Sequence, residues 1–175
     1  MTLSAMFMAI GLILPFFTGQ IPQIGSMLLP MHIPVLVCGM ICGPVYGGTV
    51  GFVLPIFRYL LFGMPPIFPT GLAMAFELAA YGIITGRLYY NSKWKCWSNL
   101  YFSLITAMIG GRLVWGVVFA LLCGISEQPF TLGIFLASAL LNAIPGIVVQ
   151  LVFVPVLVRS LLRTGIVSSV AQPVH

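Results

Sequence analysis

Residues 98–123 read SNLYFSLITAMIGGRLVWGVVFALLC, and Arg112 is the only charged side chain among them. A helix needs about 20 predominantly apolar residues to cross the hydrocarbon core of a bilayer, so this stretch is long enough to span a membrane once. Its length and apolar character therefore predict a transmembrane helix with a single arginine near its middle.

The composition extends this prediction to the whole chain. Of the 175 residues, 61% are hydrophobic and 5% are charged, and the mean hydropathy is +1.16. Charged residues make up about 25% of an ordinary soluble domain, so a soluble fold is excluded. A chain of this length holds about six spanning helices. The prediction is an all-α polytopic membrane protein, a compact bundle of six transmembrane helices that forms one membrane-embedded domain over residues 1–175.

Proline and glycine clusters mark the ends of these helices. The six are predicted at about 2–17, 33–43, 45–62, 70–90, 98–123 and 131–162. The second covers only about half a bilayer, and the Gly43–Pro44 pair that follows it fits a turn better than a kink. One kinked helix in place of the second and third, giving five spans, is the alternative. Residues 18–32 form a long first loop, which we expect to be an ordered lid.

Basic residues set the orientation. Five of the seven lie in two places, one connection and the C-terminal region: Arg87, Lys93, Lys95, Arg159 and Arg163. The positive-inside rule places both regions in the cytoplasm, and with six spans both termini are cytoplasmic. We expect the protein in the bacterial plasma membrane, with loops 18–32, 63–69 and 124–132 outside. We also expect basic residues upstream of Met1 and no cleavable signal peptide, because the first apolar run lacks a basic start and a cleavage site.

Arg112 is the first candidate functional residue. An arginine at the centre of a membrane helix costs roughly 2.5–3.5 kcal/mol on insertion scales, and such residues usually have a function. Two interpretations are open: an ion pair with Glu77 of the fourth helix, or a contact with an anionic or polar ligand. Trp115 lies one turn further along the same helix face and is placed to stack on a flat ligand.

Depth brings further polar residues to the same layer. Glu77 lies about 10 Å of helix rise from the outer end of its helix, and Asn142 lies at a similar depth in the sixth. Arg112, Glu77 and Asn142 can therefore share one layer in the outer half of the bundle. For Asn142 an interhelical hydrogen bond is the alternative to ligand contact. Gln150 lies deeper, where we expect a structural role.

Arg58 and His32 are the remaining candidates for ligand contact. Arg58 lies about one turn from the outer end of the third helix, where it either meets the ligand or extends to the interface. His32 lies at the outer entrance of the second helix. Cys38 and Cys42 follow it at ordinary helical spacing, so a metal site is not expected.

Several classes of protein are excluded by what the sequence lacks. It contains no Gly-x-x-x-x-Gly-Lys loop, so we expect no ATP hydrolysis by this chain. It contains no His-Glu-x-x-His motif, and the one acid–base couple would be Glu77 with His32, which we expect at different depths. The chain is therefore not expected to be an enzyme or to need a cofactor. Nucleic-acid binding is also excluded, because the few basic residues flank membrane segments.

Three sequence stretches and one spacing motif resemble a known transporter family. The motif is Ala5-x-x-x-Ala9 in the first helix, a spacing that permits close approach of another helix. The stretches are LPMHIPVLVCG at 29–39, AMAFELA at 73–79 and LNAIPGI at 141–147. With six short helices and a long first loop, the whole chain resembles the substrate-binding S component of an energy-coupling factor (ECF) vitamin transporter.

The resemblance implies a division of labour. Two cytosolic ATPases and a membrane coupling protein supply the energy, while this chain captures the ligand from outside. In the family the alanine motif of the first helix meets the coupling protein, a role that falls here to Ala5 and Ala9. The loops at 18–32 and 63–69 would close over the ligand.

The expected ligand is a small water-soluble vitamin or precursor, with pantothenate as the leading candidate. Its carboxylate would pair with Arg112 or Arg58, while Glu77 and Asn142 would contact hydroxyl and amide groups. Pyridoxine or another flat heterocycle is the second candidate. It would stack on two aromatic side chains, Trp115 and Tyr81. A self-sufficient carrier or channel is the alternative from another class.

Overall fold

The computed structural model of the chain describes residues 1–17, 30–63, 66–92, 96–125 and 144–163. Within these ranges the protein contains helices and no strand. The helices, numbered here in chain order, are α1 (Thr2–Phe17), α2 (His32–Cys42), α3 (Pro44–Phe62), α4 (Leu72–Thr85), α5 (Trp97–Ile125) and α6 (Ile144–Arg163). A kinked segment at Ile67–Gly71, in which Phe68 has extended backbone angles (φ −121°, ψ 133°), precedes α4, and a π-helical turn follows it at Gly86–Tyr90.

These bounds match the predicted ones closely wherever the chain is described. The predicted start of the sixth helix near residue 131, together with Asn142, lies outside the described residues. So does most of the first loop, and the predicted lid is therefore not part of the described structure.

Gly43 separates α2 from α3, as predicted. Its φ of 95° is a conformation that residues with a side chain rarely adopt. Pro44 then occupies the start of α3, a position at which a missing N–H costs no helical hydrogen bond. The break leaves α2 with 11 residues, about 16 Å of rise.

Four helical stretches are long and apolar enough to cross a membrane by length and composition. They are Pro44–Phe62, Ile67–Tyr90, Trp97–Gly124 and Gly146–Arg163. Two shorter apolar helices accompany them at Thr2–Pro15 and His32–Cys42. The described part of the chain thus contains four candidate spans. That all six helices cross the bilayer stays a prediction.

The lateral surface has the character that lipid requires. On α5, large apolar side chains are exposed at every fourth residue, at Ile105, Ile109, Leu113, Val117 and Leu121. In water such a continuous ridge would be an apolar patch that soluble proteins avoid. In a bilayer the same ridge faces acyl chains, so the exposed surface supports a membrane location.

The two basic regions lie at the same end of the bundle. The guanidinium of Arg159, near the end of α6, sits 4.4 Å from the centre of the Trp97 ring at the start of α5. Trp97 directly follows the basic connection between α4 and α5. This proximity agrees with a single round trip of the chain between the two regions. Which side of the membrane they occupy stays a prediction.

Glycines allow α2, α3 and α4 to pack backbone against backbone. A Cβ atom added to Gly82 of α4 would collide with the carbonyl group of Gly47 of α3. One added to Gly39 of α2 would collide with the carbonyl oxygen of Gly82, and one added to Gly51 would collide with the carbonyl oxygen of Leu78. Small residues give membrane helices this close contact. The three helices therefore form one tightly packed unit.

We predict that Gly82→Ala destabilises the protein, because the new methyl group has no space beside Gly47. Overpacking of this kind costs about 1–3 kcal/mol. The matched control is Gly124→Ala, since a Cβ at Gly124 meets no atom within 4 Å. Thermal unfolding of both purified variants in detergent should show a lower midpoint for Gly82→Ala alone. Equal midpoints would contradict the close packing.

Candidate functional site

Glu77 is the centre of a buried polar cluster. Glu77 is 1% exposed, and its Oε1 atom lies 3.2 Å from Nη1 of Arg112. The hydroxyl of Tyr81, one turn further along α4, donates a hydrogen bond of 3.0 Å to the same oxygen. The ion pair joins α4 to α5 within the apolar interior. Of the two interpretations of Arg112, the structure thus contains the ion pair with Glu77.

His32 completes the cluster from α2. Its Nε2 atom lies 3.8 Å from Oε1 of Glu77, and its ring meets that of Tyr81 edge to face, with centroids 5.2 Å apart and planes at 66°. The residue is 1% exposed. The expectation that His32 and Glu77 lie at different depths is therefore wrong. The reason is that α2 begins inside the bundle, at the level of Glu77, and not at its outer entrance.

Glycine also determines how α5 meets this cluster. A Cβ added to Gly111 would lie 2.6 Å from the Tyr81 ring, and one added to Gly110 would lie 2.6 Å from the side chain of Ile84. The Gly110–Gly111 pair thus lets α5 approach α4 just before Arg112. Sequence reasoning did not assign Gly111 a role, although two adjacent glycines before a membrane arginine were a visible signal.

Several buried nitrogen atoms find no hydrogen-bond partner within the described residues. They are Nδ1 and Nε2 of His32, Nε of Arg112 and Nε2 of Gln150. An unpaired buried polar group costs about 1–3 kcal/mol, so such atoms require a partner from elsewhere. Arg112 can only donate, and a neutral imidazole offers one donor and one acceptor. The cluster therefore contains polar atoms whose partners are not among the described residues.

Gln150 lies apart from this cluster in depth. It is 2% exposed and lies about 13 Å of helix rise from Arg159. Gln150 is therefore nearer the basic end of the bundle than Arg112 is. A structural role is expected for it. The described residues do not supply the amide nitrogen of Gln150 with the interhelical hydrogen bond that such a role would bring.

Trp115 continues the site one turn beyond Arg112. Its ring is stacked on that of Phe119, with centroids 4.9 Å apart and planes at 11°, and it packs against Ala73 of α4. At 8% exposure its side chain is buried, one helical turn from Arg112. One face of the ring is therefore already covered by Phe119.

The other predicted site residues are not part of the cluster. Arg58 is half-buried near the end of α3, and it forms no ion pair with Glu77. Asn142 lies outside the described residues. Ala5 and Ala9 are exposed on α1, whose buried side consists of Ser4, Phe7, Gly11 and Pro15.

The cluster is not arranged as a metal site. Across the ranges that the structure describes, no three His, Cys, Asp or Glu side chains come together to hold an ion. Glu77 is the one carboxylate of the cluster, and Arg112 already neutralises its charge. Its chemistry is that of a hydrogen-bonded ion pair with unused donors.

The fold and this site define a class of protein: a multi-pass helical membrane protein with a buried polar cluster next to an aromatic wall. The model of the family described as ECF transporter, substrate-specific component, matches residues 1–174. The chain belongs to this family, which confirms the resemblance seen in the sequence. It is thus a membrane-embedded transporter component that binds a substrate, in a family that is not one of enzymes. No curated protein and no solved structure matches the chain significantly.

We predict energetic coupling between Glu77 and Arg112. Glu77→Gln leaves the Arg112 charge without its counter-ion, and breaking a buried ion pair in this way costs about 3–5 kcal/mol. Glu77→Gln combined with Arg112→Gln should recover much of that loss, because no lone charge remains. Unfolding of the two single variants and the double variant in detergent measures the coupling.

Arg58→Gln provides the control for this cycle, since Arg58 forms no ion pair with Glu77. Combined with Glu77→Gln, it should give additive losses. Additive losses for the Arg112 pair as well would show that the ion pair does not contribute to stability.

Proposed function

We propose that this chain is the high-affinity capture subunit of an ECF importer in the bacterial plasma membrane, and that its ligand is a small vitamin or precursor carrying a carboxylate, with pantothenate as the leading candidate. The observation that carries the proposal is the state of Arg112. Its side chain is 18% exposed and uses Nη1 for Glu77, while its Nε has no partner among the described residues.

A guanidinium has five N–H donors in a planar fork, and this geometry matches a carboxylate. With Glu77 occupying one edge, the remaining donors of Arg112 are available to a second carboxylate. A charge-assisted pair of this kind is roughly twice as strong as a neutral hydrogen bond. Arg112 is therefore the residue we propose for the ligand's carboxylate, in preference to Arg58.

Glu77 then has a different role from the one that the sequence suggested. It is almost fully buried, and it already accepts from Arg112 and Tyr81. We propose that it is a positioning residue, which holds the guanidinium in place, and that it does not contact the ligand's hydroxyl or amide groups itself. The ring nitrogens of His32 and the side chain of Asn142 are proposed for those groups.

A flat heterocycle such as pyridoxine is the second candidate, and the stacked pair of Trp115 and Phe119 beside Arg112 favours it. Against it, Phe119 covers one face of Trp115. Tyr81 is 2% exposed and held by its contacts to Glu77 and His32. The two proposed stacking partners thus offer less ring surface than the candidate requires.

We propose that transport depends on partners. The sequence contains no phosphate-binding loop for ATP, so the energy would come from two cytosolic ATPases through a membrane coupling protein. Ala5 and Ala9 are exposed on the side of α1 that faces away from Phe7 and Gly11. Their small side chains leave room for a partner helix, which supports them as the docking face. The six-span topology with cytoplasmic termini is part of the same proposal.

We expect the purified chain to bind pantothenate when a panel of vitamins is screened by isothermal titration calorimetry. Arg112→Gln should weaken binding about 100-fold, which corresponds to about 3 kcal/mol and to the loss of a charge-assisted pair. Panthenol, in which an alcohol replaces the carboxylate, should lose a similar factor with the wild type and little more with Arg112→Gln.

Arg163→Gln is the matched control, because it removes an exposed arginine at the far end of α6 and should leave the affinity unchanged. Tight binding of a ligand without a carboxylate would refute pantothenate but leave capture intact. If a folded sample binds no vitamin of the panel, the capture function itself is wrong.

Ala9→Leu should separate transport from binding. The larger side chain blocks close approach of a partner helix, so uptake into proteoliposomes that contain the chain, the coupling protein and the ATPases should fall at least tenfold. Ligand affinity of the isolated variant should stay unchanged. Val117→Leu adds bulk to the exposed ridge of α5 and should leave uptake intact.

The same assay distinguishes the alternative from another class. Wild-type chain reconstituted alone should bind the ligand and give no flux. Sustained flux through the solitary chain would establish a self-sufficient carrier or channel, and unchanged uptake by Ala9→Leu would exclude the alanines as the docking face.

A further inference from the structure

A groove with a volume of about 580 Å³ runs along the outward sides of α3 and α4. It is distinct from the buried cluster, since its lining includes Phe76, which is 44% exposed, and not the neighbouring Glu77, which is 1% exposed. The two residues lie about 100° apart around the axis of α4. The groove therefore opens laterally, where lipid surrounds the bundle.

The residues at the two ends of the groove differ in chemistry. At one end the rings of Phe52 and Phe76 meet edge to face, with centroids 5.4 Å apart and planes at 77°. At the other end lies Arg87, in the turn that follows α4. Between them Gly48 and Ala79 contribute almost no side chain. The helix rises about 16 Å from Phe76 to Arg87, which gives the groove its length.

Apolar groups make up almost the whole lining. Thr49 is polar, but its hydroxyl already donates to the carbonyl oxygen of Tyr46 at 3.0 Å. Arg87 is exposed and has no ion-pair partner within the described ranges. The groove thus combines a long apolar slot with one unpaired cation at the basic end of the bundle.

The lining favours a lipid acyl chain as the occupant, because it is apolar along its length and has a cation at one end. The positive charge of Arg87 favours a lipid with a negatively charged head group. Basic pockets between membrane helices on the cytoplasmic side bind anionic lipid head groups.

We propose that the α3–α4 groove binds one anionic phospholipid of the cytoplasmic leaflet. Its phosphate pairs with Arg87, and one acyl chain follows the groove past Gly48 and Ala79 to the Phe52–Phe76 pair. The proposal depends on the basic end of the bundle being cytoplasmic. It does not depend on the identity of the transported ligand.

Native mass spectrometry of the full chain, with phosphatidylglycerol and phosphatidylcholine of identical acyl chains, tests the proposal. We expect the wild type to retain one phosphatidylglycerol per chain, with at least a tenfold preference over phosphatidylcholine. Arg87→Gln should remove that preference. Thr49→Phe, at an exposed position on the groove, should fill the slot and reduce retention of both lipids.

Arg163→Gln is the control, because it also removes one exposed cation from the basic end but lies outside the groove. It should keep the wild-type preference. Ligand affinity measured by calorimetry should be the same for the wild type and Arg87→Gln, which separates this test from that of the proposed function.

Three results would overturn the proposal. They are equal retention of the two lipids by the wild type, an equal loss of preference in Arg163→Gln and Arg87→Gln, and undiminished retention in Thr49→Phe. If Thr49→Phe instead weakened recovery of the coupling protein while lipid retention stayed unchanged, the groove would be a protein contact.

Discussion

The ion pair between Glu77 and Arg112 is the interaction on which the interior of this protein depends. Each charge is costly alone at membrane depth, because the desolvation penalty and the attraction between the charges both grow as the dielectric constant falls. Pairing at 3.2 Å requires α4 and α5 to stay in register at this depth. Tyr81 donates to the same carboxylate from within α4, and His32 of α2 lies 3.8 Å from it. A single buried carboxylate thereby joins α4 to α5, with α2 packed beside the pair.

Close backbone packing between helices holds the ion pair at a fixed depth. The glycines of α2, α3 and α4 allow contacts between main chains that no side chain can loosen by changing rotamer. Gly111 instead leaves room for the Tyr81 ring where α5 passes α4. In lipid the hydrophobic effect does not draw helices together, so close van der Waals contact replaces it. The positions of Glu77 and His32 therefore follow from glycine spacing as much as from their own chemistry.

Much of the fold could be predicted from the sequence, because length and hydropathy determine where helices begin and end in a membrane. The Gly43–Pro44 pair correctly predicted the break between α2 and α3, because backbone preferences of this kind are also local. Local patterns do not determine depth, and this explains the error on His32. Its level depends on where α2 enters the bundle, which is set by contacts among three helices. The pairing of Glu77 with Arg112 was one of two open interpretations, since helix depth alone does not distinguish a partner side chain from a ligand.

The two sides of α4 separate what must be fixed from what must move. On the inner side, Glu77 and Tyr81 are locked in a polar cluster that would be costly to disturb. On the outer side, α4 presents Phe76 and Ile83 to the membrane, with Arg87 only at its basic end. A lateral surface like this side of α4, with its charge only at one end, can tilt in lipid without carrying a charge through the hydrocarbon core. We propose that transport involves such a tilt of the whole chain against its membrane partner. A lipid held at Arg87 would place one pivot of that movement at the cytoplasmic surface.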